Sequence, residues 1–438
     1  MSNTSPVDIS RILDEGRWGG YQKIVVALAA LAIIFDGVDI QVLGVAIPSL
    51  MKDWNVGREP FKWVAAIGLL GMAGGSVILG LLGDRIGRRR ALITSLLVLG
   101  VFTVAASYAE DITTLTVLRL LAGLGLGGAL PNASALSSEF VPLRHRPFAV
   151  TLTIVCVPLG ASLAGFLAKL VLETHTWHTL FAIGGMSAIG MALFLAMLLP
   201  ESPRYLGRNP PRWPELGRIL ARMGQPVPAG ARFVDSREQA DTRVSVLTLL
   251  AADFRRDTLL LWAAFFSCLL AVYLSFTWLP QTINGAGLGS ATASLGLAVF
   301  QLGGVVGAIV AALLIQRFGS KGTMGAIALI AIAGALGLSV TPFTAQNLTN
   351  IMVMLGITGG AINAVQTTMY ALAAHIYPTA VRATGVGAAA TIGRIGAVTS
   401  SFVGVIGGSS AFFVSTAVAM VGTTVALMFI QRHVAKPR

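Results

Sequence analysis

Charged residues are scarce in this sequence. Asp, Glu, Lys and Arg make up 11% of its 438 residues, where a soluble chain carries about a quarter. Cysteine is rarer still: Cys156 and Cys268 stand alone, each inside an apolar run. Two isolated thiols give neither a disulfide framework nor a cysteine-based metal site, so both are expected to be packing residues. No phosphate-binding glycine loop, nucleophile–histidine arrangement, metal-ligand cluster or soluble sensor domain can be read from the chain. Those absences weigh against a membrane enzyme or a receptor, and no cofactor or metal is expected. The opening stretch "MSNTSPVDISRILDEGRWGGYQK" has no apolar segment with a cleavage site, so the first apolar run is expected to be retained as a span.

What is plentiful is apolar length. Hydrophobic residues make up 55% of the chain and glycine contributes 50 residues, a number suited to close approach between spanning helices. Runs of about twenty apolar residues, long enough to cross a hydrocarbon core, recur from end to end. They divide into twelve spans at 24–50, 62–82, 91–108, 112–138, 148–173, 178–200, 258–281, 291–315, 323–341, 348–374, 384–408 and 410–431. The reading is an all-α polytopic membrane protein. With both ends on one side, that side holds 25 of the 31 Lys and Arg residues, which places both termini in the cytoplasm. The net charge of +12 then orients the chain in its lipid bilayer and calls for no nucleic-acid partner. A monomer is the expected functional unit.

The polar stretch 201–257 splits the chain into a six-span half at 24–200 and another at 258–431, with short cytoplasmic ends at 1–23 and 432–438. Landmarks repeat across the divide. "GDRIGRRRA" after span two matches "IQRFGSKGT" after span eight, aligning Arg85 with Arg317, Gly87 with Gly319 and Arg89 with Lys321, while Pro48 matches Pro280. "EFVPLRHRP" likewise matches "HIYPTAVRA", aligning Pro142 with Pro378 and Arg146 with Arg382. A duplicated six-helix unit that holds its solute between the halves is a transporter plan.

Ionisable groups inside spans are functional by default, and four stand out. Asp36 and Asp39 lie one turn apart in "FDGVDIQ", about halfway through span one. Arg119 begins "RLLAGLGLGG" in span four, and Arg394 sits in "IGRIG" of span eleven. One reading makes the aspartates structural, capping a kink at Gly37 or neutralising an arginine. The other makes Asp36, Asp39 and Arg119 a proton-coupling group, since a carboxyl group in an apolar crevice changes its proton affinity with its surroundings; Asp36 is the favoured carrier. Arg394, always charged and fork-shaped, is expected to anchor a substrate carboxylate. Aromatic and amide groups placed to line a central cavity are Phe35, Gln41, Asn132, Tyr273, Phe276, Gln301, Asn363, Gln366 and Tyr370. Trp278, near a span end, reads as an interfacial belt residue.

"GDRIGRRR" and "PESPR" resemble loops of the major facilitator superfamily. "FDGVDIQVLGVAIPSL", "RLLAGLGLGGALPNA" and "IYPTAVRATGVG…IGRIGA" together resemble its aromatic acid:proton symporter family over nearly the whole chain. The resemblance implies uptake, across a bacterial inner membrane, of a monocyclic aromatic carboxylic acid such as a benzoate or hydroxybenzoate, with protons as the coupling ion. It also implies a cytoplasmic gate built from Asp84, Arg85, Gly87, Arg88, Arg89, Glu139, Arg146 and Arg382. Val38 departs from the family, which often has an aromatic residue there. Alternatives on the same fold are an importer of another organic anion or a sugar-like solute, and a drug or metabolite:proton antiporter. Val157 replaces the glycine that precedes the proline in the antiporter motif, and a sugar site has no need of two buried arginines.

Overall fold

In the computed structural model, residues 7–228, 230–236 and 246–434 are described. Among these residues, twelve long apolar helices carry the fold, and they coincide with the twelve spans read from the sequence. The first half contains α2 (Gly20–Asp53), α3 (Phe61–Ile86), α4 (Arg88–Ala106), α5 (Ile112–Phe140), α6 (Arg146–Thr174) and α7 (Trp177–Leu198). The second contains α10 (Ala252–Ile283), α11 (Ser290–Phe318), α12 (Ser320–Val340), α13 (Leu348–Ile376), α14 (Thr379–Val403) and α15 (Ser409–Phe429). Short elements gather at the end of the bundle that bears both termini. They are β1 (Val7–Asp8), α1 (Ile9–Glu15), α8 (Pro203–Gly207), α9 (Trp213–Arg222) and β2 (Phe233–Val234). β1 and β2 pair in parallel, Val7 opposite Phe233, and the Ser10 and Ser236 hydroxyls meet at 2.8 Å. The amino-terminal segment is therefore tied to the polar stretch between the halves.

The landmarks that suggested duplication have duplicated conformations. Gly87 ends α3 at φ 102° and Gly319 ends α11 at φ 80°, a left-handed geometry that a Cβ disfavours. Pro142 and Pro378 both take extended ψ just before their helices, at 149° and 157°, as a helix-preceding proline does. Gly75 on α3 packs on the Leu124 carbonyl of α5, and Gly307 on α11 packs on the Gly360 carbonyl of α13. A side chain at either glycine would collide with backbone, so the same helix pair is drawn close in both halves.

"PESPR" has a local physical reason. α4 starts at Gly87, whose missing side chain cannot cap the helix. Glu201 supplies the acceptor instead, taking the Arg89 N–H at 3.0 Å and the Ser202 N–H at 2.9 Å. Burial pushes its carboxyl above the usual range, and those backbone donors pull it back. A carboxylate at a helix start is also favoured by the helix dipole.

The halves touch at the end of the bundle opposite the termini. Gly44 of α2 lies against the Phe276 and Thr277 backbone of α10. The Ser162 hydroxyl donates to the Ala298 carbonyl at 2.9 Å. Arg58, in the α2–α3 connection, donates to the Gly407 carbonyl at 2.8 Å and also to that of Gly404, past the end of α14. Trp278 is fully buried beneath Arg58, 5.5 Å from its ring, so it is a packing residue of this closure and not an interfacial belt residue. Sequence position put it near a span end; its ring lies against Gly404 of its own half and beneath Arg58 of the other.

Candidate functional site

Between the halves lies a chamber of about 340 Å³. Its walls come from both: Asp36 and Ile40 of α2, Met72 of α3, Leu130 and Ser134 of α5, Pro158 of α6, Tyr273 and Phe276 of α10, Gln366 and Tyr370 of α13, and Arg394 of α14. Val150 near the start of α6, Val386 near the start of α14 and Tyr370 near the end of α13 extend it toward the termini-bearing end. That direction is opposite to the Arg58 closure.

The two aspartates of "FDGVDIQ" occupy different surroundings. Three residues turn an α-helix by about 300°, so side chains one turn apart still diverge by about 60°. Asp36 lines the chamber and is buried, and its Oδ1 has no hydrogen-bond partner among the described residues. Asp39 points into the first half. Arg119 of α5 donates to it from Nη1 at 3.2 Å, and the Thr103 hydroxyl of α4 donates at 2.5 Å. The Arg119 guanidinium also lies 5.9 Å from the Phe181 ring of α7. Asp39 and Arg119 thus neutralise each other, and removing one partner of such a buried pair typically costs about 3–5 kcal/mol. A water-sized cavity of about 40 Å³ touches Arg119 and shares Ile40, Leu126, Tyr273 and Phe276 with the chamber wall.

Gly37 sets the depth of this turn. A Cβ there would strike the Val157 carbonyl and crowd Gly160 on α6, so the α2–α6 crossing carries Asp36 against the chamber. Val157 is itself in the chamber wall. Val38, where the resembled family often has an aromatic residue, is buried in the core and is not part of that wall.

On the other side of the chamber, Arg394 donates from Nη1 to the Ser76 hydroxyl of α3, a contact that crosses between the halves. Neither aspartate is an ion-pair partner of Arg394 among the described residues. A ligand carboxylate would therefore meet a guanidinium with nitrogens to spare and displace no aspartate from it. The aromatic wall of the chamber is braced by ring contacts: Tyr273 and Phe276 stand 5.4 Å apart, and Phe265 meets Tyr370 edge-on at 5.0 Å. The Tyr273 hydroxyl reaches the Met72 sulfur at 3.7 Å, again across the halves.

Of the residues chosen from the sequence as chamber-lining, Tyr273, Phe276, Gln366, Tyr370 and Arg394 are brought together there with Asp36. Five are placed elsewhere. Gln41 donates to the Phe276 carbonyl and accepts from Gln301 at 3.5 Å, while Asn363 donates to Gln301 at 3.4 Å and to the Gly359 carbonyl at 3.0 Å. These three amides form a buried chain joining α2 to α10, α11 and α13. Asn132 spends its donors on the Leu79 and Gly128 carbonyls, at 3.0 and 2.8 Å, pinning α5 to α3. Phe35 is partly buried against the first-half core. Ser76, Ser134, Met72 and Thr367 were not anticipated. Small hydroxyls and a methionine in glycine-rich spans carry no signal that separates lining from packing.

The residues grouped as a gate cluster at the termini-bearing end of the first half. Arg88 pairs with Asp84 and lies 3.5 Å from Glu139. Glu139 accepts from the Ser202 hydroxyl, and Arg89 donates to the Ala196 carbonyl. Arg146 pairs with Asp14 of α1 and donates to the Ser138 carbonyl at 2.9 Å. Gly87 adjoins Glu201, and Arg85 is exposed. All the partners named here belong to the first half and its attached segments. The Arg382 side chain lies outside the described residues.

Residues 29–401 match the model of the Major Facilitator Superfamily. The chain is 34% identical over 403 residues to a gallate transporter of Pseudomonas putida, covering 91% of this chain and 88% of the relative. It is 32% identical over 406 residues to a 4-hydroxybenzoate transporter of Acinetobacter baylyi, covering 92% and 88%. Among solved structures, a xylose transporter from E. coli in a partially occluded inward open conformation superposes with a TM-score of 0.75 at 14% identity, covering 94% of this chain and 99% of that one.

Proposed function

The chain belongs to the Major Facilitator Superfamily, and on that premise we propose that it imports a monocyclic aromatic carboxylic acid together with protons by alternating access. The observation that carries this reading is the pairing of Asp36 and Arg394 on one chamber. One is a buried carboxyl whose Oδ1 has no hydrogen-bond partner among the described residues, the other a guanidinium that donates to the Ser76 hydroxyl, and Tyr273, Phe276 and Tyr370 line the same chamber. Relatives named as gallate and 4-hydroxybenzoate transporters support the solute class.

Each group has one task. Arg394 receives the substrate carboxylate with two parallel hydrogen bonds, and the tyrosine and phenylalanine rings hold the aromatic body by offset or edge contact. Asp36 takes the proton. An ionised carboxyl at this depth is costly, and a second anion arriving on the substrate makes it costlier, so proton and substrate favour each other's binding. Asp39, fixed by Arg119 and Thr103, keeps the neighbouring turn in place and balances the arginine.

With both termini cytoplasmic, the chamber faces the cytoplasm and the Arg58 contacts close the periplasmic side, an inward-facing state. The Asp84–Arg88–Glu139 cluster is then a first-half gate element whose partners across the bundle form when the cytoplasmic side closes. Coupling has an energetic reason: a negative-inside potential opposes entry of an anion by about 2.3 kcal/mol per 100 mV. One proton per anion cancels that penalty, and a second lets the potential drive uptake.

A competition panel against labelled 4-hydroxybenzoate tests the solute class in cells expressing the protein. Benzoate, hydroxybenzoates, protocatechuate and gallate are expected to compete, while methyl 4-hydroxybenzoate, which lacks the anion, and xylose do not. Equal competition by the ester or by xylose would remove the carboxylate anchor from the account.

A further inference from the structure

A second cavity, of about 250 Å³, lies at the termini-bearing rim of the bundle, where α9 passes the end of α7 and the start of α4. Arg89, Arg218 and Arg222 all line it. Arg218 and Arg222 are four residues apart and so share a face of α9, opposite the buried Leu216 and Leu220. Both are exposed, and neither forms an ion pair with a described residue. The cavity's acidic residue, Glu215, is already held by Arg212 at 2.8 Å. The Arg222 guanidinium is steadied 5.9 Å from the Tyr21 ring, and the buried Nε of Arg89 has no hydrogen-bond partner among the described residues. Three guanidinium groups converge here; Glu201 acts on Arg89 from its backbone side, and among the described lining residues the one carboxylate, Glu215, is taken by Arg212.

The remaining wall identifies the missing anion. Met197 and Leu198 close the cavity at the end of α7, and they are 75% and 55% exposed. On the outer surface of a spanning helix, those side chains meet acyl chains. A guanidinium cluster bordered by a lipid-facing apolar edge fits a molecule with a phosphate at one end and hydrocarbon at the other.

We propose that this cavity binds the headgroup of an anionic phospholipid, with its phosphodiester between Arg89, Arg218 and Arg222 and its acyl chains against Met197 and Leu198. The bound lipid holds α9, and through it the segment joining the halves, against the membrane surface. Neither the transported solute nor the chamber enters this proposal.

The test compares the full-length protein with Arg218→Gln/Arg222→Gln in nanodiscs of phosphatidylcholine alone and of phosphatidylcholine with phosphatidylglycerol. Native mass spectrometry of wild type is expected to show preferential retention of phosphatidylglycerol, falling at least tenfold in the double variant. Phosphatidylglycerol is expected to raise the thermal midpoint of wild type only, while the two proteins melt alike in phosphatidylcholine, which shows that the variant folds. Arg218→Lys/Arg222→Lys, keeping charge without the fork, is expected to retain an intermediate amount. A third arm adds inorganic phosphate to phosphatidylcholine discs. Equal phosphatidylglycerol retention by wild type and the glutamine variant overturns the site, and a midpoint rise with inorganic phosphate matching that with phosphatidylglycerol overturns the lipid as its ligand.

Discussion

Asp36→Asn is expected to abolish concentrative uptake of an aromatic acid while leaving exchange of internal for external substrate intact. Each proton carried per anion allows about tenfold accumulation per unit of pH gradient, because one pH unit is worth about 1.4 kcal/mol. With an inward gradient of about two units, wild type in proteoliposomes should accumulate substrate up to about a hundredfold per coupled proton. The asparagine variant should only equilibrate it. Exchange survives because it moves no net protons, and because Asn fills the same volume in the chamber wall. Asp36 is singled out over Asp39 on structural grounds: Asp39 is engaged by Arg119 and Thr103, whereas the Oδ1 of Asp36 has no hydrogen-bond partner among the described residues. Wild-type accumulation by the variant would make Asp36 a structural residue.

The second large effect is expected at Arg394. Arg394→Lys preserves the charge and loses the planar fork, so one of two charge-assisted hydrogen bonds to the carboxylate disappears. Such bonds are worth about 1.5–3 kcal/mol, which corresponds to a rise in the KM of uptake of roughly tenfold to a hundredfold. Arg394→Gln removes the charge too and should be weaker still. The guanidinium reaches Ser76 on the other half, so the substrate carboxylate would sit where the halves meet. Uptake kinetics over a range of 4-hydroxybenzoate concentrations measure this, and an unchanged KM in the lysine variant would end the anchoring role.

The fold was legible because its signals are long or repeated. Twelve apolar runs stand out at the scale of a bilayer, and glycines and prolines punctuate both halves at matching places. Gly87 with Gly319 and Pro142 with Pro378 mark the same backbone geometry twice. The chamber was legible in part because an ionisable residue inside a span is rare enough to notice. Which way each side chain points was not. Asp36 and Asp39 share a turn and read as a pair, yet a 60° divergence sends one to the chamber and the other to Arg119. Gln41, Gln301 and Asn363 read as ligand contacts because amides in spans need partners. They find those partners in one another and in backbone carbonyls. Asn132 does the same on α3. The amide groups show that a hydrogen bond must be made; only the packing of helices decides whether it goes to protein or to solute.

The central claim is that proton and aromatic anion bind the same chamber and favour each other, with Asp36 holding the proton. It is tested most directly by counting protons taken up when the purified protein binds 4-hydroxybenzoate, from calorimetric titrations in two buffers of different ionisation enthalpy. The account predicts net proton uptake by wild type near neutral pH and none by Asp36→Asn. Binding without proton uptake in wild type, or with the same uptake in both proteins, would contradict it.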